Sequence, residues 1–225
     1  MDFLNAIILL GNYIIVPGLT YGSQLALGAI GVTLVYGVLR FANFAYGDLM
    51  AFGTMIVILS TGYLQSLGIT LGFLPTALLA LPIGIIATVI LSLFFDKTVF
   101  KYYRDMKSEP VILIVVSIGV MFISNAIVRI VIGPGDVISM DGARFIMKAS
   151  EFKKMTGLNE GIALKSTQAI TVITTIITCS ILFYFLNKTK TGKSMRAYSD
   201  NEDLALLSGI DPTKIEIYTW DIVSI

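Results

Sequence analysis

The sequence predicts an all-α, polytopic transmembrane helical bundle of about five full spans plus the start of a sixth. Three observations carry this expectation. The chain is 56% hydrophobic and 14% charged, with a mean hydropathy of +0.84; a soluble domain usually carries about 25% charged residues. Leu49–Phe95 runs 47 residues without a charge. Several further apolar stretches have the length that about 20 helical residues need to cover a hydrocarbon core roughly 30 Å thick.

Met1 to Pro17 is a short apolar lead-in, read as an interfacial helix or the irregular start of the first span. Asp2 and the lack of any Lys or Arg before Arg40 leave no positive n-region, so this start is taken as mature protein. Gly18–Leu39 is the first span, with 22 uncharged residues. Its Gly18, Gly22, Ala26, Ala29, Thr33 and Gly37 recur at spacings of three or four and share one face. Such a stripe is either a helix–helix packing seam or the border of a path, and periodicity does not separate the two.

The span breaks at Arg40-Phe41-Ala42-Asn43-Phe44-Ala45-Tyr46-Gly47-Asp48. A polar turn between apolar segments either faces water at a membrane surface or lines a protein-enclosed path. Asp48 needs the surface or a partner, and Arg40 across the turn is a candidate. Asn43, Tyr46 and Asp48 are therefore candidates for a translocation path or gate, set against a plain surface anchor.

Gly68, Gly72 and Pro75 interrupt the long apolar run, so it reads as two spans, about 49–67 and 73–95. Asp96–Glu109 reads as a charged loop. Pro110 to Val128, extending to Ile132, is the fourth span, with Arg129 near its end where it can snorkel. Residues 133–165 read as a polar loop opening on Gly133-Pro134-Gly135-Asp136. Ser166–Asn187 is the fifth span, 188–214 is polar again, and Ile215–Ile225 reads as the opening of another apolar segment.

Orientation follows Lys and Arg. Arg40, the 96–109 loop and the 188–214 loop share one side and hold ten basic residues; residues 133–165 hold five. This places the N-terminus and the 133–165 loop outside and the 188–214 loop in the cytoplasm. Within the latter, Asp200 or Asn201 caps a short helix, Glu202 and Asp203 occupy its first turn, and Gly209 ends it. Leu204, Leu206, Leu207 and Ile210 then need cover, from lipid and neighbouring spans or from a cytoplasmic partner.

Composition also excludes. There is no histidine and one cysteine, Cys179, so the usual Zn, Cu and haem ligand sets, a His-based triad and an intrachain disulfide are all out of reach. No convergent catalytic set is visible. A net charge of +1 gives no support to nucleic-acid binding.

Two motifs carry a resemblance. Gly22-Ser23, Ala26-Leu27, Gly31, Thr33-Leu34 and Tyr36-Gly37, followed by Phe41-Ala42-Asn43-Phe44-Ala45-Tyr46-Gly47-Asp48-Leu49, resemble the N-terminal signature of bacterial branched-chain amino acid ABC transporter permeases of the LivH type. Gly192-Lys193-Ser194-Met195-Arg196-Ala197-Tyr198-Ser199-Asp200 and the residues on to Asp211 are similar to that family's cytoplasmic stretch. Tyr46 stands where the family commonly has His. Family members continue through further spans, so 1–225 would be the N-terminal part of a longer permease domain. The resemblance implies a non-catalytic permease subunit in a bacterial inner membrane. Its partners would be a second permease, two cytoplasmic ATPases and an extracytoplasmic solute-binding protein that meets 133–165. The chain would need no cofactor of its own; ATP would be used by the ATPases, since no phosphate-cradling Gly-rich loop is present. Ser194–Gly209 would be the coupling element, with Arg196, Ala197, Leu204, Leu206, Leu207, Gly209 and Ile210 as its candidate contacts. The implied substrate is a branched-chain amino acid; urea, a short amide or a sugar on the same scaffold, or an ion-coupled secondary carrier, are the alternatives.

Overall fold

The computed structural model describes residues 2–72, 74–133, 135, 145–156 and 161–224. Pro134, Asp136, Arg144, Phe73 and Ile225, which enter the readings above, lie outside the described residues. The helices are α1 (Asp2–Leu10), α2 (Val16–Leu39), α3 (Tyr46–Ser66), α4 (Ala77–Phe95), α5 (Lys101–Asp105), α6 (Pro110–Ile132), α7 (Ala149–Thr156), α8 (Ser166–Lys188), α9 (Lys190–Asp200), α10 (Glu202–Leu207) and α11 (Pro212–Val223). A two-stranded antiparallel pair, β1 (Phe145–Met147) and β2 (Leu164–Lys165), is paired Phe145 to Lys165 and Met147 to Leu164, with an irregularity between. Among the described residues five helices are long and apolar enough to cross a membrane: Asn5–Leu39, Tyr46–Ser66, Ala77–Asp105, Pro110–Ile132 and Ser166–Lys188. The all-α polytopic bundle is thus the observed fold class.

Two of these helices are longer than expected. The lead-in is helical and joins α2 through a π-helical turn at Gly11–Ile15. Pro17 follows at once, and its missing N–H and bulky ring disturb the preceding turn, which a wider turn accommodates. The expected charged loop after Phe95 is likewise helical to Asp105, through a second π-helical turn at Asp96–Phe100. The reason is a satisfied ion pair: Arg104 Nη1 lies 2.6 Å from Asp96 Oδ1, and Arg104 Nη2 lies 2.9 Å from Glu216 Oε2 in α11. With Asp96 and Arg104 paired inward, and Lys97, Lys101 and Asp105 on the exposed face, the segment has no need to unwind into water. Gly68 and Gly72, at φ +78° and +68°, make the interruption between α3 and α4.

The chain divides into two compact units. The first comprises Met1–Gly28, Leu71–Pro75 and Met140–Leu182. In it Asn12 Nδ2 donates to the Gly161 carbonyl at 2.6 Å and Asn12 Oδ1 accepts the Ala163 N–H at 3.0 Å, holding the strand approach. The second comprises Ala29–Thr70, Thr76–Ser139 and Phe183–Ile225. Here α3 and α4 approach closely where Gly84 faces Val57 and the Gly53 carbonyl, the small-residue contact that lipid-embedded helices favour. Its core joins Val35, Val38 and Leu39 to Leu49, Phe95, Leu113, Val120, Met195, Ile215 and Trp220. Phe41, Phe100 and Trp220 stack in series, with ring centroids 5.5 and 5.3 Å apart. Of the small-residue stripe, Gly18, Gly22, Ala29 and Thr33 are exposed; the buried face of α2 is instead Gly31, Val35, Val38 and Leu39.

Candidate functional site

The break between α2 and α3 is built from the backbone outward. Arg40 takes φ +60°, a left-handed conformation that ends a helix, and its N–H still reaches the Tyr36 carbonyl at 3.1 Å. Asn43 then turns the chain. Its Oδ1 accepts the Ala45 N–H at 3.0 Å, an Asx turn that launches α3. Asn43 is buried, and its Nδ2 has no hydrogen-bond partner among the described residues. The Phe44 N–H donates to Ser117 Oγ in α6 at 3.1 Å. Tyr46 is half-buried, its hydroxyl packed where a Cβ on Gly31 would sit.

Asp48, in the first turn of α3, accepts from Asn125 Nδ2 at 2.8 Å, and Asn125 Oδ1 accepts from Arg129 Nε at 2.7 Å. One correction follows. Asp48 is served by Asn125 of α6 and not by Arg40, whose guanidinium donates to the Ser199 carbonyl. The left-handed Arg40 ends α2 beside the end of α9, whereas Asp48, one turn into α3, faces α6. Arg129 likewise holds Asn125 in addition to any reach toward an interface. The break is level with the interior of α6, because Ser117 and Asn125 are its eighth and sixteenth residues of 23. Non-helical backbone at such depth is tolerated where protein or a water-filled cavity surrounds it.

The cytoplasm-assigned segment is two helices where one short helix was expected. Thr189 caps α9 by accepting the Gly192 N–H at 3.0 Å. Gly192 is required at this bend, since a Cβ there would overlap the Phe185 carbonyl and Leu186 Cα. Met195 and Tyr198 face the core. Burial and the neighbouring Glu202 carboxylate raise the Tyr198 phenol above its ordinary pKa, so it stays a donor to Glu202 Oε1 at 3.0 Å. Asn201 caps α10 by accepting the Leu204 N–H at 3.0 Å. Gly209, at φ +81°, closes it: the Ile210 N–H reaches the Ala205 carbonyl at 3.1 Å and the Gly209 N–H reaches Leu206 at 3.0 Å, a Schellman motif.

Of the candidate coupling residues, Leu204, Leu206 and Leu207 are exposed, Leu207 to 85%. Ala205 is buried between them, and Ile210 packs partly against the core. Arg196 and Ala197 are exposed and border a shallow depression on α9 with Lys193, Ser199 and Asp200; Arg196 Nη1 donates to Asn187 Oδ1 at 3.0 Å. Ser199, on the same helix as Arg196 and Ala197, reaches the end of α2 just before the turn that holds Asn43, Tyr46 and Asp48. Ser199 Oγ donates to the Gly37 carbonyl at 2.8 Å while the Ser199 carbonyl accepts from Arg40. Ser199 and Asn125 were not singled out in the sequence. Asn125 had a signal, a lone amide in an apolar span; Ser199 had none.

The family model described as "Branched-chain amino acid transport system / permease component" matches residues 14–225. The chain is 27% identical over 207 residues to the high-affinity branched-chain amino acid transport system permease protein LivH of Salmonella typhimurium, and 26% identical over the same length to LivH of Escherichia coli K12; each match covers 90% of this chain and 63% of the relative. It is 26% identical over 209 residues to the permease protein BraD of Pseudomonas aeruginosa, covering 92% of this chain and 64% of the relative. The chain thus spans less than two thirds of the length of these curated relatives. No solved structure matches.

Proposed function

Because the chain belongs to the branched-chain amino acid transport permease family, we propose that it is a membrane permease subunit of an ABC importer that takes up branched-chain amino acids in a bacterial inner membrane. A second permease, two cytoplasmic ATPases and an extracytoplasmic solute-binding protein complete the assembly, and the ATPases bind and hydrolyse the ATP. The exposed leucines of α10 dock on an ATPase groove, as an unpartnered apolar helix face requires. Closure of the ATPases displaces α9 and α10, and the spans rock between outward- and inward-open states. Residues 133–165 face the solute-binding protein.

One observation carries this reading: Ser199 of α9 is hydrogen-bonded to the end of α2, where the break begins, through Gly37 and Arg40. A push on α9 therefore reaches the Asn43–Asp48 turn without passing through lipid. The test is to replace Leu204, Leu206 and Leu207 together by serine and purify the assembly. The ATPase subunits are expected to be lost while membrane insertion is kept; undiminished co-purification overturns the docking role. ATP-dependent leucine uptake in vesicles whose ion gradients have been collapsed separates this reading from an ion-coupled carrier.

A further inference from the structure

The geometry points to a recognition site for the charged head of an α-amino acid between Asp48 and Arg129, with the Asn125 amide standing in for that head in this conformation. The inference rests on the permease reading above and adds to it the substrate contacts within this chain.

Depth comes first. Asn125 lies seven residues, about 10 Å, short of the far end of α6. Asp48 is half-buried and Arg129 is exposed. A charged group turned to lipid within a span costs about 2.5–3.5 kcal/mol on insertion scales, so ionisable groups at such positions face protein or a water-filled path.

Chemistry comes second. Asp48 and Arg129 bracket one neutral amide, at 2.8 and 2.7 Å. A carboxylate only accepts and a guanidinium only donates, so the Asn125 amide has one orientation, its NH2 toward Asp48 and its oxygen toward Arg129. An α-amino acid has the same polarity: an ammonium that donates at one end and a carboxylate that accepts at the other. The two differ by one bonded atom, N–C–O in the amide against N–Cα–C–O in the amino acid. With the Asn125 side chain rotated aside, the amino-acid head would take its place between the same two side chains. It also replaces two bonds that each have one charged partner with two in which both partners are charged, adding a Coulomb attraction at each end. An amine without the carboxylate, or an acid without the ammonium, satisfies one end and leaves the opposite charge unpaired.

The experiment uses the assembly of the two permeases and the ATPases in lipid nanodiscs, with the solute-binding protein left out so that it binds none of the ligand, and reads equilibrium binding of radiolabelled leucine. Leucine is expected to compete at least about tenfold better than isoamylamine or 4-methylpentanoate, which lack the carboxylate and the ammonium respectively. This series needs no variant. Asn125→Ala is expected to tighten leucine binding several-fold, and Asp48→Asn or Arg129→Gln in that background to abolish the gain. Equal competition by the three compounds, or an assembled Asn125→Ala that binds leucine no tighter, overturns the site. ATP-driven leucine uptake by the unsubstituted importer with its solute-binding protein is read in parallel in sealed vesicles. Uptake with a flat competition series sinks the site alone; no uptake overturns the permease reading and the site with it.

Discussion

Arg104 shows how one ion pair redraws an element. Counted along the chain, it is one basic residue in a charged stretch that reads as a loop. In the structure it bridges Asp96, a side chain only 7% exposed, to Glu216 more than a hundred residues on. Removing one partner of a buried pair strands the other charge, at a cost of about 3–5 kcal/mol. Arg104→Ala should therefore lower the thermal unfolding midpoint of the purified protein sharply, and adding Asp96→Asn should recover part of the loss. Asp48 teaches the same lesson. That it needs a partner is plain from its position in an apolar run, but the partner lies 77 residues away, not eight. Proximity in sequence favoured Arg40; helix packing chose Asn125.

The helices divide by the range of the forces that make them. The caps of α10 were legible because capping is local: Asn201 reaches three residues ahead and Gly209 needs only a permissive backbone. Asn201→Ala should destabilise α10 by about 0.5–2 kcal/mol, read as faster amide hydrogen exchange across Glu202–Leu207 with α11 unchanged. The helix before it was not legible. The buried residues of α9 are only Gly192, Met195 and Tyr198, set among Lys, Arg, Ser and Asp, so no apolar run announces it. The two π-helical turns were equally silent, since each answers a particular disturbance, Pro17 in one case and the Asp96–Arg104 pair in the other.

Across the second unit, the break in the first span, the α9–α10 pair and the middle of α6 form one polar thread. It runs from α9 through Ser199 to Arg40 and Gly37, then along the turn to Asp48, Asn125 and Arg129. Each hydrogen bond in such a thread is worth about 1 kcal/mol net. Ser199→Ala combined with Arg40→Gln should therefore lower leucine uptake several-fold more than it lowers ATP hydrolysis by the assembled importer. An equal fall in both would place the residues in folding instead of coupling.

Membrane class, the number of spans, the break after Leu39 and the α10 caps were all readable from residue order, because hydropathy and capping act over a few turns at most. Membership in the permease family was readable too, from two short motifs, and the match over residues 14–225 agrees. The pairing of Asp48 with Asn125, the helical run to Asp105 and the grip of Ser199 on the α2–α3 break needed the folded chain. Those contacts join residues 77 to 162 positions apart or depend on a buried ion pair, and which distant groups meet is set by how helices pack, not by the local pattern of either partner.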